Sequence, residues 1–276
     1  MSESQYIHGS DPDERQRLSR LNELLNDACL AELSLRGGEN ILDVGSGLGQ
    51  FTRAMARAAR RRATGVERDP AQIAEAIRQA TAAGEQDLIE FRQGDAHLLR
   101  LSPLEWGSFD VVHTRFLLEH VPDPLVVVQA MARAVRPGGR VVLADDDHAI
   151  FRLWPEPPGS VLLWRAYMQS YTALGNDPET GVKLVQWLYS AGLKPVRNKW
   201  LWFGACSAED TFRVKLQNKI KIISGARDVM LSHRLISESE LDSALKALSE
   251  WGDRPDAAMW FAFNWAEGLR PATGAL

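Results

Sequence analysis

The sequence predicts an α/β protein: a doubly wound, mostly parallel sheet of seven strands, with a helix ahead of the first strand and a helical cap inserted after the fifth. Three observations carry this. Short apolar runs alternate with stretches of helical period between residues 39 and 150, and a glycine-rich bend joins the first run to its helix. Beyond residue 150 the alternation gives way to helices before two further strand-like segments. Such alternation implies right-handed crossovers and a sheet covered on both faces.

Taken in order, Asp11, Pro12 and Glu14 make a cap-like start, and Leu18, Leu21, Leu25 and Ala28 then share one helical face. ILDV (41–44) is the first strand, followed by a helix through Met55 and Ala58. ATGVE (63–67) is the second; Asp69-Pro70 caps a helix carrying Ile73, Ala76, Ile77 and Ala80, which Gly84 ends. LIEF (88–91) and FDVVHT (109–114) are the third and fourth strands, PLVVVQAMARAV (124–135) a helix, and RVVLA (140–144) the fifth strand after the Pro137-Gly138-Gly139 turn. Helices are expected near 158–174, 178–191, 207–232 and 237–250, and the last two strands from 195–205 and 257–268.

Composition narrows the function. With 45% hydrophobic and 25% charged residues the chain has ample material for a core. A formal charge of -4 offers no basic field for a nucleic acid, and the arginines at 53, 57, 60, 61 and 62 are expected to be solvated near a helix end. Cys29 and Cys206 stand far apart without a CxxC or metal-ligand spacing, so neither a disulfide nor a metal is expected. No apolar stretch approaches the roughly 20 residues needed to span a bilayer, and a cytoplasmic location with no membrane partner is expected.

The chemistry concentrates in ILDVGSGLGQF (41–51). Gly45, Gly47 and Gly49 follow a strand and precede a helix, where glycine permits a tight turn and close approach of a ligand to the backbone. The dinucleotide fingerprint GxGxxG has Gln50 at its third glycine position here, which disfavours a nicotinamide oxidoreductase. Glu67 ends the second strand 22 residues after Gly45, near the spacing at which a carboxylate accepts from ribose hydroxyls. Asp95 follows the third strand and is suited to accept from an exocyclic amine such as that of adenine. No GxSxG elbow, HExxH helix or Walker loop competes.

ILDVGSGLG, GVERD, GDAHLL, FDVVHTRFLLEHVPDP and VRPGGRVVLAD, in this order, resemble the class I S-adenosylmethionine (SAM)-dependent methyltransferases, in particular the small-molecule branch related to the quinone and polyketide methyltransferases. The resemblance implies a Rossmann-like sheet and SAM as cofactor, over about residues 39–148. It implies that Asp43 and the Gly45-Ser46-Gly47 to Gly49 loop hold the methionine end, Glu67 with its neighbour Arg68 the ribose, and Asp95 with Ala96 the adenine. Thr114 is placed like residues whose backbone meets the amino-acid portion; Arg115 departs from the pattern and its role stays open. Tyr6, in Tyr6-Ile7-His8-Gly9, resembles a cofactor lid. The chain would then divide into a lid and helix (1–36), a SAM-binding core (37–150), and an acceptor-binding insertion with the final strands (151–276).

Methyl transfer from SAM is an in-line displacement for which alignment supplies most of the rate. A hydroxyl acceptor must also lose a proton, for which His148, past the fifth strand, and His113, within the fourth, are candidates. Eight of the nine tryptophans lie beyond residue 150, so Trp154, Trp164, Tyr167, Tyr171, Trp200 and Trp202 suggest a pocket for a small apolar or aromatic acceptor. The alternatives are a SAM-binding protein with a cyclase or regulatory role, and the disfavoured oxidoreductase. A homo-oligomer packed through the N-terminal helix is compatible with the same pattern.

Overall fold

The computed structural model describes residues 12–272. Its first five strands, β1 (Ile41–Val44), β2 (Ala63–Glu67), β3 (Ile89–Gln93), β4 (Phe109–Arg115) and β5 (Val135–Asp146), run parallel. They are followed by β6 (Arg152–Trp154), β7 (Lys194–Trp202), β8 (Ala205–Cys206), β9 (Ala258–Trp260) and β10 (Ala262–Leu269). The seven-stranded sheet has the order β3-β2-β1-β4-β5-β10-β7, with β10 antiparallel to both its neighbours. Strand order reverses between β1 and β4, and in a doubly wound sheet the carboxyl ends on either side of such a reversal open a ligand crevice.

The helices are α1 (Pro12–Leu33), α2 (Gln50–Ala59), α3 (Pro70–Ala82), α4 (Pro124–Ala134), α5 (Ser160–Ala173), α6 (Leu184–Ser190), α7 (Phe212–Gly225), α8 (Arg227–Ser232) and α9 (Glu238–Trp251). The expected Asp69 cap forms, accepting from Ala71 N, and the structure adds a like cap at Asp123, which accepts from Val126 N. Two cores flank the sheet. One joins α1, α2 and the cap helices α5, α7, α8 and α9; the other joins α4 and α6. The predicted 178–191 helix is therefore no part of the cap, since α6 lies on β7 and β10 beside α4. Among the described residues no helix is long and apolar enough to cross a membrane.

Two expectations are corrected by the structure. The expected strand over 257–268 breaks at Phe261, where the chain passes from one sheet to another: Phe203 N donates to Phe261 O, and β10 begins at Ala262. Its first part, β9, pairs with β6 and β8 in a separate three-stranded sheet. In α1 the buried stripe is Leu25, Cys29 and Leu33, at a four-residue interval, while Ala28 is exposed.

Arg115, at the carboxyl end of β4, ties α1 to the sheet. Its guanidinium donates to Asn22 Oδ1, to Asn26 Oδ1 at 3.0 Å and to Cys29 Sγ at 3.2 Å, and lies 4.4 Å from the centre of the Phe51 ring. Arg115→Ala is expected to cost about 1–3 kcal/mol of local stability. Amide exchange should accelerate about 5- to 150-fold in α1 and much less in the sheet, a difference read by exchange mass spectrometry. Uniform acceleration would mean that Arg115 supports the whole fold instead of this contact.

Candidate functional site

The glycine bend is shaped by backbone geometry that only glycine adopts freely: Gly45, Gly47 and Gly49 have φ of +74°, +53° and +67°. Gly45 N and Ser46 N both donate to Val66 O, at 2.8 and 3.0 Å, fastening the bend to β2. A Cβ on Gly49 would stand 2.1 Å from Phe91 Cζ, so this glycine lets the start of α2 rest on β3. Ser46 Oγ is buried with no hydrogen-bond partner.

Glu67 turns back toward this bend. Its Oε2 accepts from Gly47 N at 2.9 Å, and its Oε1 from Arg68 N at 2.8 Å and Asp69 N at 3.0 Å. Burial pushes the carboxyl above the usual glutamate range, although these three N–H groups favour its charged form. One strand over, Gly94 N donates to Glu67 O at 2.9 Å, which places Asp95 beside it. Asp95 Oδ1 accepts from His97 N at 2.9 Å and lies 3.1 Å from His97 Nδ1, with 54% of the side chain exposed. Burial raises the Asp95 carboxyl, but the His97 bonds and the charges of His97 and Arg68 outweigh it and hold it below its ordinary value. Glycine bend, Glu67, Arg68, Asp95 and Ala96 thus share the carboxyl edge of β1, β2 and β3. Tyr6 lies outside the described residues.

Asp43 and His113 are placed differently from expectation. Asp43 is buried beneath α2, where Oδ2 accepts from Thr52 Oγ1 at 2.6 Å and Oδ1 lies 2.8 Å from His113 Nδ1. His113 is enclosed between Phe51 and Trp265, with ring centroids 5.0 and 6.2 Å away. The pair therefore braces β1, β4 and α2 from inside the core, and His113 is withdrawn from the acceptor edge. Strand alternation is the reason: Asp43 and His113 are cross-strand neighbours in the β1–β4 register and point to the same face. Thr114, on the other face, spends its hydroxyl on Val44 O at 2.8 Å, so only its main chain is left for a ligand. Phe116, with φ of +54°, then turns the chain so that Leu117 lies over Gly45, a contact sequence reasoning missed.

Beyond β4 and β5 a polar nest forms. Leu118 N donates to Asp145 Oδ2 at 2.8 Å, which fixes the turn carrying Glu119. Glu119 Oε2 lies 3.2 Å from His148 Nε2, and Glu119 Oε1 lies 3.4 Å from His120 Nε2. His148 is 1% exposed and is pushed down to about 4 by burial, so its imidazole is neutral at physiological pH. Burial, then the charges of Glu119 and Asp146, push Asp145 well up.

Three of the predicted aromatic residues gather here. Tyr167 and Tyr171, whose hydroxyls are 2.9 Å apart, pack edge-on to His148, and Trp164 Nε1 donates to His148 O at 2.7 Å. A groove of about 730 Å³ runs along α5 past Phe151, Trp164, Met168 and Thr172. Trp154, 66% exposed on β6, and Trp200 and Trp202, exposed on the edge strand β7, stand apart from this nest. Glu119 was not singled out from the sequence; its signal was the LEHVPDP stretch that starts just after β4.

Residues 42–143 match a family model described as "Methyltransferase domain". The chain is 36% identical over 152 residues to 27-O-demethylrifamycin SV methyltransferase of Amycolatopsis mediterranei, covering 55% of this chain and 53% of that protein. It is 33% identical over 135 residues to a ubiquinone biosynthesis O-methyltransferase of Xanthomonas oryzae pv. oryzae, covering 49% and 54%. The chain thus spans about half the length of the curated relatives it matches. The fold is similar to geranyl diphosphate C-methyltransferase from Streptomyces coelicolor A3(2), solved in complex with Mg2+, geranyl diphosphate and S-adenosyl-L-homocysteine. The TM-score is 0.55 at 15% identity, covering 96% of this chain and 86% of that one.

Proposed function

We propose that the chain, whose residues 42–143 match a methyltransferase domain, is a class I SAM-dependent methyltransferase that passes the methyl group of SAM to a small apolar or aromatic metabolite. The observation that carries this is the Glu67 carboxylate, held by Gly47 N, Arg68 N and Asp69 N at the sheet's crevice. These three N–H groups leave one acceptor site, on Oε2, which with a shared three-centre bond can serve two vicinal ribose hydroxyls. The unpartnered Ser46 Oγ fits the same ligand, as a polar group that an amino-acid portion would satisfy. The bend from Gly45 to Gly49, with the Thr114 main chain, would hold the methionine end, and Asp95 with Ala96 the adenine.

SAM supplies, when bound, a methyl group on a positively charged sulfur. The protein's part is to align that group with the acceptor and exclude water, and alignment alone can supply roughly 7–11 kcal/mol. Trp164, Tyr167 and Tyr171 would wall the acceptor, whose polar atom meets the nest containing His148. His148 keeps its proposed place at the reacting end on that ground, and His113 does not.

Titration with SAM or S-adenosylhomocysteine is expected to raise the melting temperature, with about 2.7 kcal/mol of stabilisation at a hundredfold excess over Kd. NAD, NADP and FAD should produce no shift. Mass spectrometry of incubations with SAM and a panel of apolar alcohols and phenols should then show products heavier by one methylene. A thermal shift from NAD, with none from SAM, would refute the proposal.

A further inference from the structure

We infer that Glu119, Asp146 and His148 form a site for one divalent transition-metal cation, beside the place where the acceptor is received. The location relative to the acceptor rests on the function proposed above; the site itself rests on the geometry.

Each of the three residues offers one ligand atom, and these atoms lie within 4.8 Å of one another. A cation bonded at 2.0–2.2 Å holds its donors about 3–3.5 Å apart, so side-chain rotations that move the donors by roughly an ångström close the set. Glu119 Oε2 and His148 Nε2 already lie 3.2 Å apart. Two further observations point to a missing occupant. Asp146 Oδ1 is buried without a hydrogen-bond partner, and the His148 side chain beside it is only 1% exposed. Buried carboxylates without compensation cost several kcal/mol, and coordinating a metal is one of the few arrangements that offsets this.

The donors are held from three directions. Glu119 sits in the turn pinned by Asp145, and its carbonyl accepts from Asp177 N at 3.1 Å. Asp146 ends β5, and His148 N donates to Pro178 O at 3.0 Å while its carbonyl accepts from Trp164 Nε1. Rigid backbone support of this kind orients ligands for a metal. One imidazole with two carboxylates suits Zn2+, Co2+ or Fe2+ better than Mg2+ or Ca2+, whose sites are all oxygen. Three protein donors leave a coordination position open, as metal sites that act on a substrate do. Asp146 and His148 stand two residues apart, whereas Glu119 joins them only where the turn after β4 meets the end of β5 in the folded sheet.

The full-length protein, stripped with a chelator and dialysed, is titrated with Co2+, Zn2+ and Mg2+ by calorimetry. The expected result is one Co2+ or Zn2+ per chain with Kd at or below about 10 µM, and Mg2+ at least about tenfold weaker. Bound Co2+ should develop visible absorption. Glu119→Gln and Asp146→Asn should each weaken Co2+ binding about 100-fold. Their thermal response to SAM, which depends on Glu67 and the glycine bend, should persist and so report that they fold. Stoichiometry well below one, or Co2+ affinity unchanged in both variants, overturns the site. Metal binding without any SAM response would instead leave the site standing and remove the function proposed above.

Discussion

Glu67→Ala is expected to weaken SAM binding by about 30- to 1000-fold. Two hydroxyl donors to a carboxylate are together worth about 2–4 kcal/mol in a partly buried crevice, and each 1.4 kcal/mol is tenfold in Kd. The loss is compounded because Gly47 N, Arg68 N and Asp69 N lose the acceptor that shapes the bend. Calorimetry of the variant measures this, and a Kd equal to that of the wild type would dismiss the ribose assignment. A pH signature accompanies it. Ribose donates to the ionised carboxylate, so affinity should fall as pH drops through the Glu67 pKa. Burial has raised that pKa, and the fall should begin at higher pH than for an exposed glutamate near about 4.3. Glu67→Gln removes the titrating group and should abolish this dependence.

Gly49→Ala is expected to destabilise the protein by about 3 kcal/mol, from a left-handed φ costing about 1–2 kcal/mol and overpacking costing about 1–3 kcal/mol. At roughly 2–4 °C per kcal/mol for a domain of this size class, the melting temperature should fall about 6–12 °C. The added methyl meets a ring, Phe91, and not backbone. Phe91→Ala in the same chain should therefore relieve the steric part and leave the backbone strain. The double variant should lose less than the sum of the two single losses, a coupling readable by thermal denaturation. Strict additivity would show that φ alone makes glycine necessary there.

How much of this was legible in the sequence depends on distance along the chain. The bend, Glu67 and Asp95 follow three successive strands of a parallel sheet, so local period and spacing sufficed to place them on one edge. Asp43 was expected in a strand and at the methionine end, and its carboxylate meets Thr52 and His113 inside the core. Its face is set by register with β4, 70 residues away, which no local pattern encodes. Glu119 escaped notice for a similar reason, since its partner His148 lies 29 residues on. The tryptophans misled in the opposite sense. Trp164 joins the nest, whereas Trp154, Trp200 and Trp202 face outward, and aromatic content alone carries no direction.

The antiparallel β10 fills the slot between β5 and β7, although it follows β5 by more than a hundred residues. Until Ala262–Leu269 docks, β5 has one bare edge, a row of unpaired backbone groups along the apolar stretch Val141–Ala144. Closing the sheet also means closing a loop of more than a hundred residues, a slow event by its entropy. A chain in which β10 has not yet docked should therefore be the aggregation-prone species, and deleting Ala262–Leu269 should harm solubility more than deleting a solvent-facing loop of equal length.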